Sequence, residues 1–304
     1  MPDRSTLADL FGDLLPRTTF PAAGTSLRCG VSGGADSLAL LALAVAAGCD
    51  VTAVHVDHGQ RPGSAHEADL VAECARALGA LVETTTVEVE PGPNLEARLR
   101  AARHDVLGPE AATGHTLDDQ AETVLINLVR GAGLVGLGAM QPGPRRPLLA
   151  LRRNETEDVC TRLGWVPFVD PSNADPAFVR NRIRHELRPL LDDIAGRDAA
   201  PLIARSSDHL RSAAELVDDL ADEVDPTDAR AVAALPEPVA ARAIQRWIRR
   251  ELGEEHPIDA AGLARVRAVA AGDIQATEVT GGIRVRRSRQ RLIAERISSG
   301  GKPH

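Results

Sequence analysis

The sequence predicts a parallel α/β fold followed by a smaller, mainly helical domain, and three observations carry that expectation. Short apolar or β-branched runs alternate with stretches of helical spacing through the first 130 residues. Strand-then-helix units in series make a parallel sheet covered by helices. Beyond residue 135 the alternation stops and the pattern turns mostly helical.

The spacing predicts an opening helix over Thr6–Leu15. Leu27–Val31 reads as a short buried strand running straight into Ser32-Gly33-Gly34-Ala35-Asp36-Ser37, and the apolar stretch Leu38–Ala47 continues as a helix. Val51–Val56 is β-branched and bounded by Gly48 and Gly59, hence a second strand, and Ala65–Leu78 has helical spacing. Leu81–Val89 is a third strand and Leu95–Leu107 the next helix; Ala111–Thr113 is a short strand opening the helix Leu117–Arg130. Gly133, Gly136, Gly138, Pro142, Gly143, Pro144 and Pro147 then mark an irregular connection.

Helices are expected next at Glu155–Leu163, Val179–Leu191 and Asp198–Val224, ending at the Asp225-Pro226 break. Two more follow at Arg230–Glu251 and Ala260–Ala271, and Thr277–Val279, Ile283–Arg287 and Arg291–Ala294 are terminal strands that include a β-hairpin. The boundary falls between residues 200 and 226, giving domains of residues 1–205 and 206–304.

With 43% hydrophobic and 26% charged residues in 304, the chain has ample material for a core, and wholesale disorder is excluded. The most apolar run, Leu38–Gly48, is far short of the roughly 20 residues a membrane helix needs. Met1–Arg17 carries Asp3, Asp9 and Asp13 and lacks the order of a signal peptide, so a cytoplasmic location is expected and no membrane partner. Lys302 is the only lysine and tyrosine is absent, so no internal lysine is available for catalysis. Cys29, Cys49, Cys74 and Cys160 include no Cys-x-x-Cys pair and read as small core residues.

A strand followed by Ser-Gly-Gly-x-Asp-Ser and a helix makes an anion cradle. Its glycines permit close backbone approach, and N–H groups converge at a helix N-terminus. Ser32 and Ser37 can donate to phosphate oxygens, but the Gly-Lys-Ser/Thr end of a Walker loop is missing, which disfavours γ-phosphoryl transfer. Asp36 inside the loop suggests instead that a magnesium pyrophosphate is held and leaves. Further on, Asp118 and Glu122 are four apart on one helix face with Asp119 beside them. Three carboxylates facing one cleft would bind magnesium or a substrate amine, while Thr116-x-x-Asp119 is also a capping box. His55 and His58 bracket Asp57 at a strand end; with no further ligands at metal spacing, this is read as a substrate loop at the carboxyl edge of the sheet, with Arg61 reaching an anion.

Ser32–Ser37 resembles the signature of the PP-loop ATP pyrophosphatases, and the stretches beyond it most resemble the tRNA(Ile)-lysidine synthases. These are His55-Val56-Asp57-His58-Gly59-Gln60-Arg61, Asn94-Leu95-Glu96-Ala97 with Arg100 and Arg103, and Ala112 to Thr123. Arg130-Gly131 with Gly136-Leu137, Arg146-Pro147-Leu148-Leu149, and Asp170-Pro171-Ser172-Asn173 with Arg180-Asn181-Arg182-Ile183-Arg184 complete the set. Together they cover residues 28 to about 190. The sequence departs from the family pattern where Thr116 stands in place of a common second histidine, His104 in place of tyrosine and Gln60 in place of leucine.

The resemblance implies ligation of lysine to C2 of the first anticodon cytidine of a CAU-anticodon tRNA(Ile), through an adenylated cytidine, with AMP and pyrophosphate as products. It implies ATP and Mg2+, free L-lysine and tRNA as partners; a homodimer is one assembly open to the chain. It assigns ATP to Ser32, Gly33, Gly34, Ala35, Asp36, Ser37, His55, Gly114 and His115, with magnesium on Asp36. Asp36, Asp119 and Glu122 are the expected catalytic acids. Arg61, Arg100, Arg103, Asp118, Arg130, Arg180, Asn181, Arg182 and Arg184 are the expected substrate contacts. Two alternatives stay open: a PP-loop tRNA thiolase, against which the spaced cysteines argue, and a non-catalytic adenine-nucleotide-binding module. The net charge of −8 argues weakly against RNA. However, seven basic residues against Glu278 and Glu295 after Ala276, and four arginines against Glu186 in Arg180–Arg188, offer two basic segments along a tRNA path.

Overall fold

A computed structural model describes residues 4–57, 64–87, 92, 95–252 and 258–297. The chain divides into two compact units, Met1–Asp208 and His209–His304. The division falls inside a long helix, a few residues from the junction expected from the sequence.

In the first unit, α1 (Arg4–Leu10) and a 3-10 turn at Leu15–Arg17 precede β1 (Ser26–Gly30), α2 (Ala35–Ala46), β2 (Asp50–Asp57), α3 (Ser64–Ala77), β3 (Leu81–Thr86) and α4 (Leu95–Leu107). The expected opening helix is therefore shorter and breaks at Gly12. The three strands are parallel, in the order β1-β2-β3. The expected fourth strand is only a bridge: Ala112 pairs in parallel with Cys29 on the free side of β1, through Gly30 N–H to Ala112 O at 2.9 Å and Ala112 N–H to Arg28 O at 2.8 Å. The chain thus moves outward from β1 and returns to its other side. The loop after β1 sits at this reversal, where ligands bind in open α/β sheets.

Ten of the twelve α2 residues are buried, including Leu38, Leu40, Leu41 and Leu43 with no exposed surface. A helix apolar on every face must be covered on every face. The sheet covers one side, and α1 and α7 (Arg153–Arg162) cover others. All four cysteines are buried and free, the core role expected of them.

Between α4 and α7 lie α5 (Leu117–Val129), a short turn α6 (Leu134–Leu137) and the glycine- and proline-rich connection. Gln120 fastens that connection: its amide donates to Met140 O and to the Ser207 hydroxyl, each at 3.0 Å, and accepts Met140 N–H at 3.0 Å. The single helix expected over Val179–Leu191 is instead α8 (Val179–Arg182), a π-helical turn at Ile183–Leu187 and α9 (Arg188–Ala195). The long helix α10 (Ala200–Asp222) follows.

The second unit contains α11 (Ala229–Ala234), α12 (Glu237–Leu252) and α13 (Ala260–Ala271). Leu235-Pro236 splits the helix expected over Arg230–Glu251, because proline supplies no N–H to the preceding turn. The three expected terminal strands form an antiparallel meander, β4 (Ala276–Val279), β5 (Ile283–Ser288) and β6 (Arg291–Arg296), with the hairpin as its second half. Ile283, Val285 and Leu292 join Ile244, Trp247, Ile248, Val266 and Val269 in its core. None of the described helices is long and apolar enough to cross a membrane.

Gly114 shows how tightly the first unit is closed around the β1 loop. A Cβ there would overlap the Asp36 carbonyl, lying 2.8 Å from its carbon and 3.1 Å from Ser37 N. Neither neighbour can move without displacing the first turn of α2. Gly114→Ala is expected to destabilise the protein by about 1–3 kcal/mol, read from urea unfolding, because overpacking against backbone has no side chain to relax.

Candidate active site

The β1 loop is held open by its own groups. Gly33 has φ +85°, a conformation that glycine adopts freely, and its carbonyl accepts Phe168 N–H at 2.9 Å. The Ser37 hydroxyl accepts Ser32 N–H at 3.1 Å and donates its only proton to Gly34 O at 2.8 Å. Ser37 therefore shapes the loop, a correction to its expected role as a phosphate donor, and the exposed Ser32 turns its hydroxyl toward Ser37 Oγ at 3.3 Å. Among the described residues no acceptor in the protein takes the N–H of Gly33, Gly34 or Ala35. Three donors converging at the N-terminus of a twelve-residue helix fit an anion such as a polyphosphate.

Asp36 opens α2 beside these donors. Thr156 Oγ1 on α7 donates a short hydrogen bond to its Oδ1, and Arg153 Nε lies 3.6 Å from its Oδ2. Burial, reinforced by the nearby Asp119 charge, pushes its proton affinity up to about 6 despite Thr156 and Arg153. A half-buried carboxylate short of positive partners favours a cation, and one or two carboxylates together with substrate phosphates are the usual magnesium donor set. Asp36, beside the open N–H groups, fits the carboxylate part of that set.

The α5 acids are distributed differently from the expected open trio. Asp118 accepts four hydrogen bonds: Arg152 NH2 at 3.1 Å and Arg188 NH1 at 2.8 Å on Oδ1, and Arg152 Nε at 3.0 Å and Arg153 N–H at 2.9 Å on Oδ2. Its acceptor sites are filled. Burial works against its charge, but the Arg152 guanidinium and the Arg153 N–H outweigh that and hold its proton affinity well below the carboxylate range. Asp118 is thus a clasp from α5 to the starts of α7 and α9, which corrects its assignment as a substrate contact.

Glu122, with no exposed surface, is equally saturated. Arg184 Nε donates at 2.7 Å and Arg153 NH1 at 3.4 Å to Oε1; Arg180 Nε at 3.0 Å and Arg184 NH2 at 2.9 Å donate to Oε2. The expected base therefore organises three guanidinium groups. Asp119 does two things at once. Its Oδ2 accepts Thr116 N–H at 2.9 Å and the Thr116 hydroxyl at 3.0 Å, completing the capping box, while its Oδ1 takes Arg153 NH2 at 3.0 Å. Burial raises its proton affinity, yet Arg153 and the Thr116 N–H prevail and it is lowered overall. Capping and site are the same residue here. Thr116 spends its hydroxyl on that cap.

The helix carrying Arg180, Arg184 and Arg188 runs antiparallel to α5: rising from 180 to 188, the partner falls from Glu122 to Asp118. Residues four apart drift round an ordinary helix; the wider π turn at Ile183–Leu187 opposes that drift and keeps the three arginines on one face. Arg182, two positions from both Arg180 and Arg184, pairs instead with Glu186 at 2.9 Å. Asn181 spends its amide on Ser172 O and Asp175 O, at 2.8 and 2.9 Å. Neither joins the cluster, and all four arginines of the first basic segment are paired within the protein.

Among the other expected residues, His55 is 2% exposed and its Nδ1 sits 2.9 Å from Val31 O, so it braces the end of β1 rather than presenting itself to a nucleotide. His115 Nδ1 lies 2.8 Å from the Thr113 hydroxyl, directly before α5. Arg130 is exposed at the far end of α5, about 12 Å along the axis from Glu122. Arg103 is exposed on α4. His58, Gly59, Gln60, Arg61, Asn94 and the Arg100 side chain lie outside the described residues. The sequence reading missed Arg152, Arg153 and Thr156, and placed Arg188 only within a basic segment rather than on Asp118. The signal available was charge: acids this close need cations, and in a chain with one lysine only arginine can supply them.

A family model described as a PP-loop domain matches residues 9–191, more than half the chain. The tRNA(Ile)-lysidine synthase of Rhodococcus jostii is 43% identical over 234 residues, covering 72% of each chain. The enzyme of the same name from Nocardia farcinica is 40% identical over 255 residues, covering 79% of this chain and 80% of its own.

The chain belongs to the tRNA(Ile)-lysidine synthase family.

It is accordingly a ligase of the PP-loop type with a nucleotide-binding fold. The Mycobacterium tuberculosis H37Rv member of the family is 40% identical over 239 residues, with 72% of this chain and 73% of that one covered. Among solved structures, the U34-tRNA thiolase NcsA of Methanococcus maripaludis, with its [4Fe-4S] cluster, shares the fold at a TM-score of 0.53 and 17% identity, over 68% of this chain and 80% of that one.

Two outcomes test the ion-pair geometry. Asp118→Ala is expected to cost about 3 kcal/mol in urea unfolding at neutral pH, because it leaves the half-buried Arg188 with only a 3.9 Å contact to Asp198 and frees one side of the Arg152 fork, which keeps Asp198. Since the folded protein holds Asp118 and Asp119 below the unfolded value of about 4, their stabilisation is present above that value. It is lost as pH falls through the folded values. Unfolding midpoints taken between pH 7 and pH 2.5 should therefore fall more steeply for the wild type than for Asp118→Asn.

Proposed function

We propose that this chain joins the ε-amine of free L-lysine to C2 of cytidine 34 in a CAU-anticodon tRNA(Ile), using ATP with Mg2+ and releasing AMP and pyrophosphate. The observation that carries this reading is the placement of Asp36 and Asp119, both against Arg153, at the mouth of a loop with three open N–H donors, in a chain of this family. Cytosine C2 is a poor electrophile until its carbonyl oxygen has attacked the α-phosphorus, forming adenylated cytidine as pyrophosphate leaves. The amine then attacks C2 and AMP departs.

Gly33, Gly34, Ala35 and the Ser32 hydroxyl bind the phosphates, and Asp36 holds magnesium, whose charge offsets that of the leaving pyrophosphate. Asp119 faces the lysine amine and orients it; with its own proton affinity held low by Arg153 and the Thr116 N–H, it leaves the ammonium proton to water. Glu122 acts through Arg180 and Arg184, which it aims at the phosphate and carboxylate groups of the substrates. Cys74 and Cys160, whose thiols burial pushes up to about 11 and 12, are poorly suited to carrying sulfur. Residues 1–205 form the catalytic part and the second unit binds tRNA. There Arg284 and Arg289 are exposed, while Arg286 is paired to Glu295 at 2.8 Å and Arg291 to Asp225. The reaction is placed in the cytoplasm, and a homodimer is compatible with it.

Incubation with ATP, radiolabelled lysine and a CAU-anticodon transcript should fix label in RNA and release one AMP per lysine; ATP binding without turnover would overturn the reading. Asp36→Ala should abolish AMP formation while leaving tRNA affinity within about twofold. Because the Asp36 carboxylate takes a proton near pH 6, magnesium-dependent ATP binding should weaken as pH falls below about 6 and stay flat above it. Calorimetry on Asp36→Asn should show no such limb.

A further inference from the structure

One face of α7 is turned toward the first turn of α2. Arg153, Thr156 and Cys160 recur at helical spacing, and each meets Ala35 or Asp36. Arg153 Nε lies 3.6 Å from Asp36 Oδ2, the Thr156 hydroxyl bonds Asp36 Oδ1, and Cys160 Sγ donates to Ala35 O at 3.6 Å. Thr156 has no exposed surface, so its hydroxyl has no water to turn to, and its two acceptors are Asp36 and, at 2.7 Å, Arg153 O. Arg153 is meanwhile shared: the same guanidinium reaches Asp119 at 3.0 Å and Glu122 at 3.4 Å, leaving its longest contact for Asp36. The only short side-chain hydrogen bond to Asp36 among the described residues is therefore the one from Thr156.

We infer that Thr156 is a positioning residue: its buried hydroxyl ties Asp36 Oδ1 to α7 and so holds the carboxylate with Oδ2, which takes no short hydrogen bond among the described residues, as the oxygen that receives the cation. Without that bond the carboxylate is free to turn about its Cβ–Cγ bond and close on Arg153, which lies 3.6 Å from Oδ2, and such an excursion removes an oxygen from the cation. The inference rests on the reading of Asp36 as the magnesium-binding acid. It predicts that α7, which contributes nothing to the loop motif itself, sets the metal requirement of the reaction.

The test compares Thr156→Val, which keeps the shape and removes the donor, with Thr156→Ser, which keeps the donor. For each full-length protein, ATP binding is measured by calorimetry with and without Mg2+, and AMP formation is followed as a function of Mg2+ concentration. Thr156→Val should raise the Mg2+ midpoint and weaken magnesium-dependent ATP binding about tenfold, as expected for loss of a hydrogen bond to a charged group. Metal-free ATP binding and tRNA affinity should stay within about twofold. Thr156→Ser should recover most of the loss. A Val variant with the wild-type Mg2+ midpoint, or a Ser variant as impaired as Val, overturns the inference. A Val variant that is unfolded by circular dichroism leaves the Ser variant to decide, because a packing role would follow the lost methyl and a hydroxyl role would not. Asp36→Asn is the reference: if it leaves the Mg2+ midpoint unchanged, the assignment of Asp36 fails, whereas a shifted Asp36→Asn with an unshifted Thr156→Val refutes Thr156 alone.

Discussion

The geometry of the site depends on how four carboxylates, Asp36, Asp118, Asp119 and Glu122, are kept ionised in a small, largely buried volume. Left alone they would repel and take up protons. Five arginines from a separate stretch of chain, Arg152, Arg153, Arg180, Arg184 and Arg188, neutralise them. Removing two ions from water costs several kcal/mol each, so this lattice contributes little net stability; what it provides is directional. Each guanidinium fork accepts only certain positions of its partners, and the result is one arrangement of α5 against α7, α8 and α9.

That arrangement divides the acids by their access to further partners. Asp118 and Glu122 have every acceptor site filled and serve the architecture. Asp36, with one hydrogen bond and one longer ion contact, is the carboxylate left under-compensated, and it lies beside backbone donors with no acceptor among the described residues. A negative group and a set of positive dipoles side by side suit a ligand carrying both charges, a polyphosphate with its cation. Arg153 joins the two halves, because it touches the loop acid and the α5 acids with one side chain.

Much of the fold was legible because its determinants are local. An apolar run such as Leu38–Ala46 can only be a buried helix, and β-branched Val51–Val56 between glycines can only be a central strand. Discrepancies arose where a longer-range term intervened: Pro236 split one helix, and a π turn that aligns Arg180, Arg184 and Arg188 against α5 interrupted another. The loop and its acids were equally legible, since Ser32–Ser37 and Asp118–Glu122 are contiguous. Their partners were not, because Arg152, Arg153 and Thr156 lie more than thirty residues from the acids they hold.

The sequence by itself determined the parallel α/β class, the anion loop, the family and the chemistry its residue types permit, because each is written in adjacent residues or in their periodicity. Only the tertiary structure decided which acids are spent and which are available. Asp118, Asp119 and Glu122 look the same on paper as Asp36. What separates them is the number of arginine and backbone donors that reach each oxygen, a quantity set by chain returning from far along the sequence. His55 and Ser37 changed roles for the same reason: each was a plausible ligand contact until the fold placed a carbonyl oxygen within hydrogen-bonding distance.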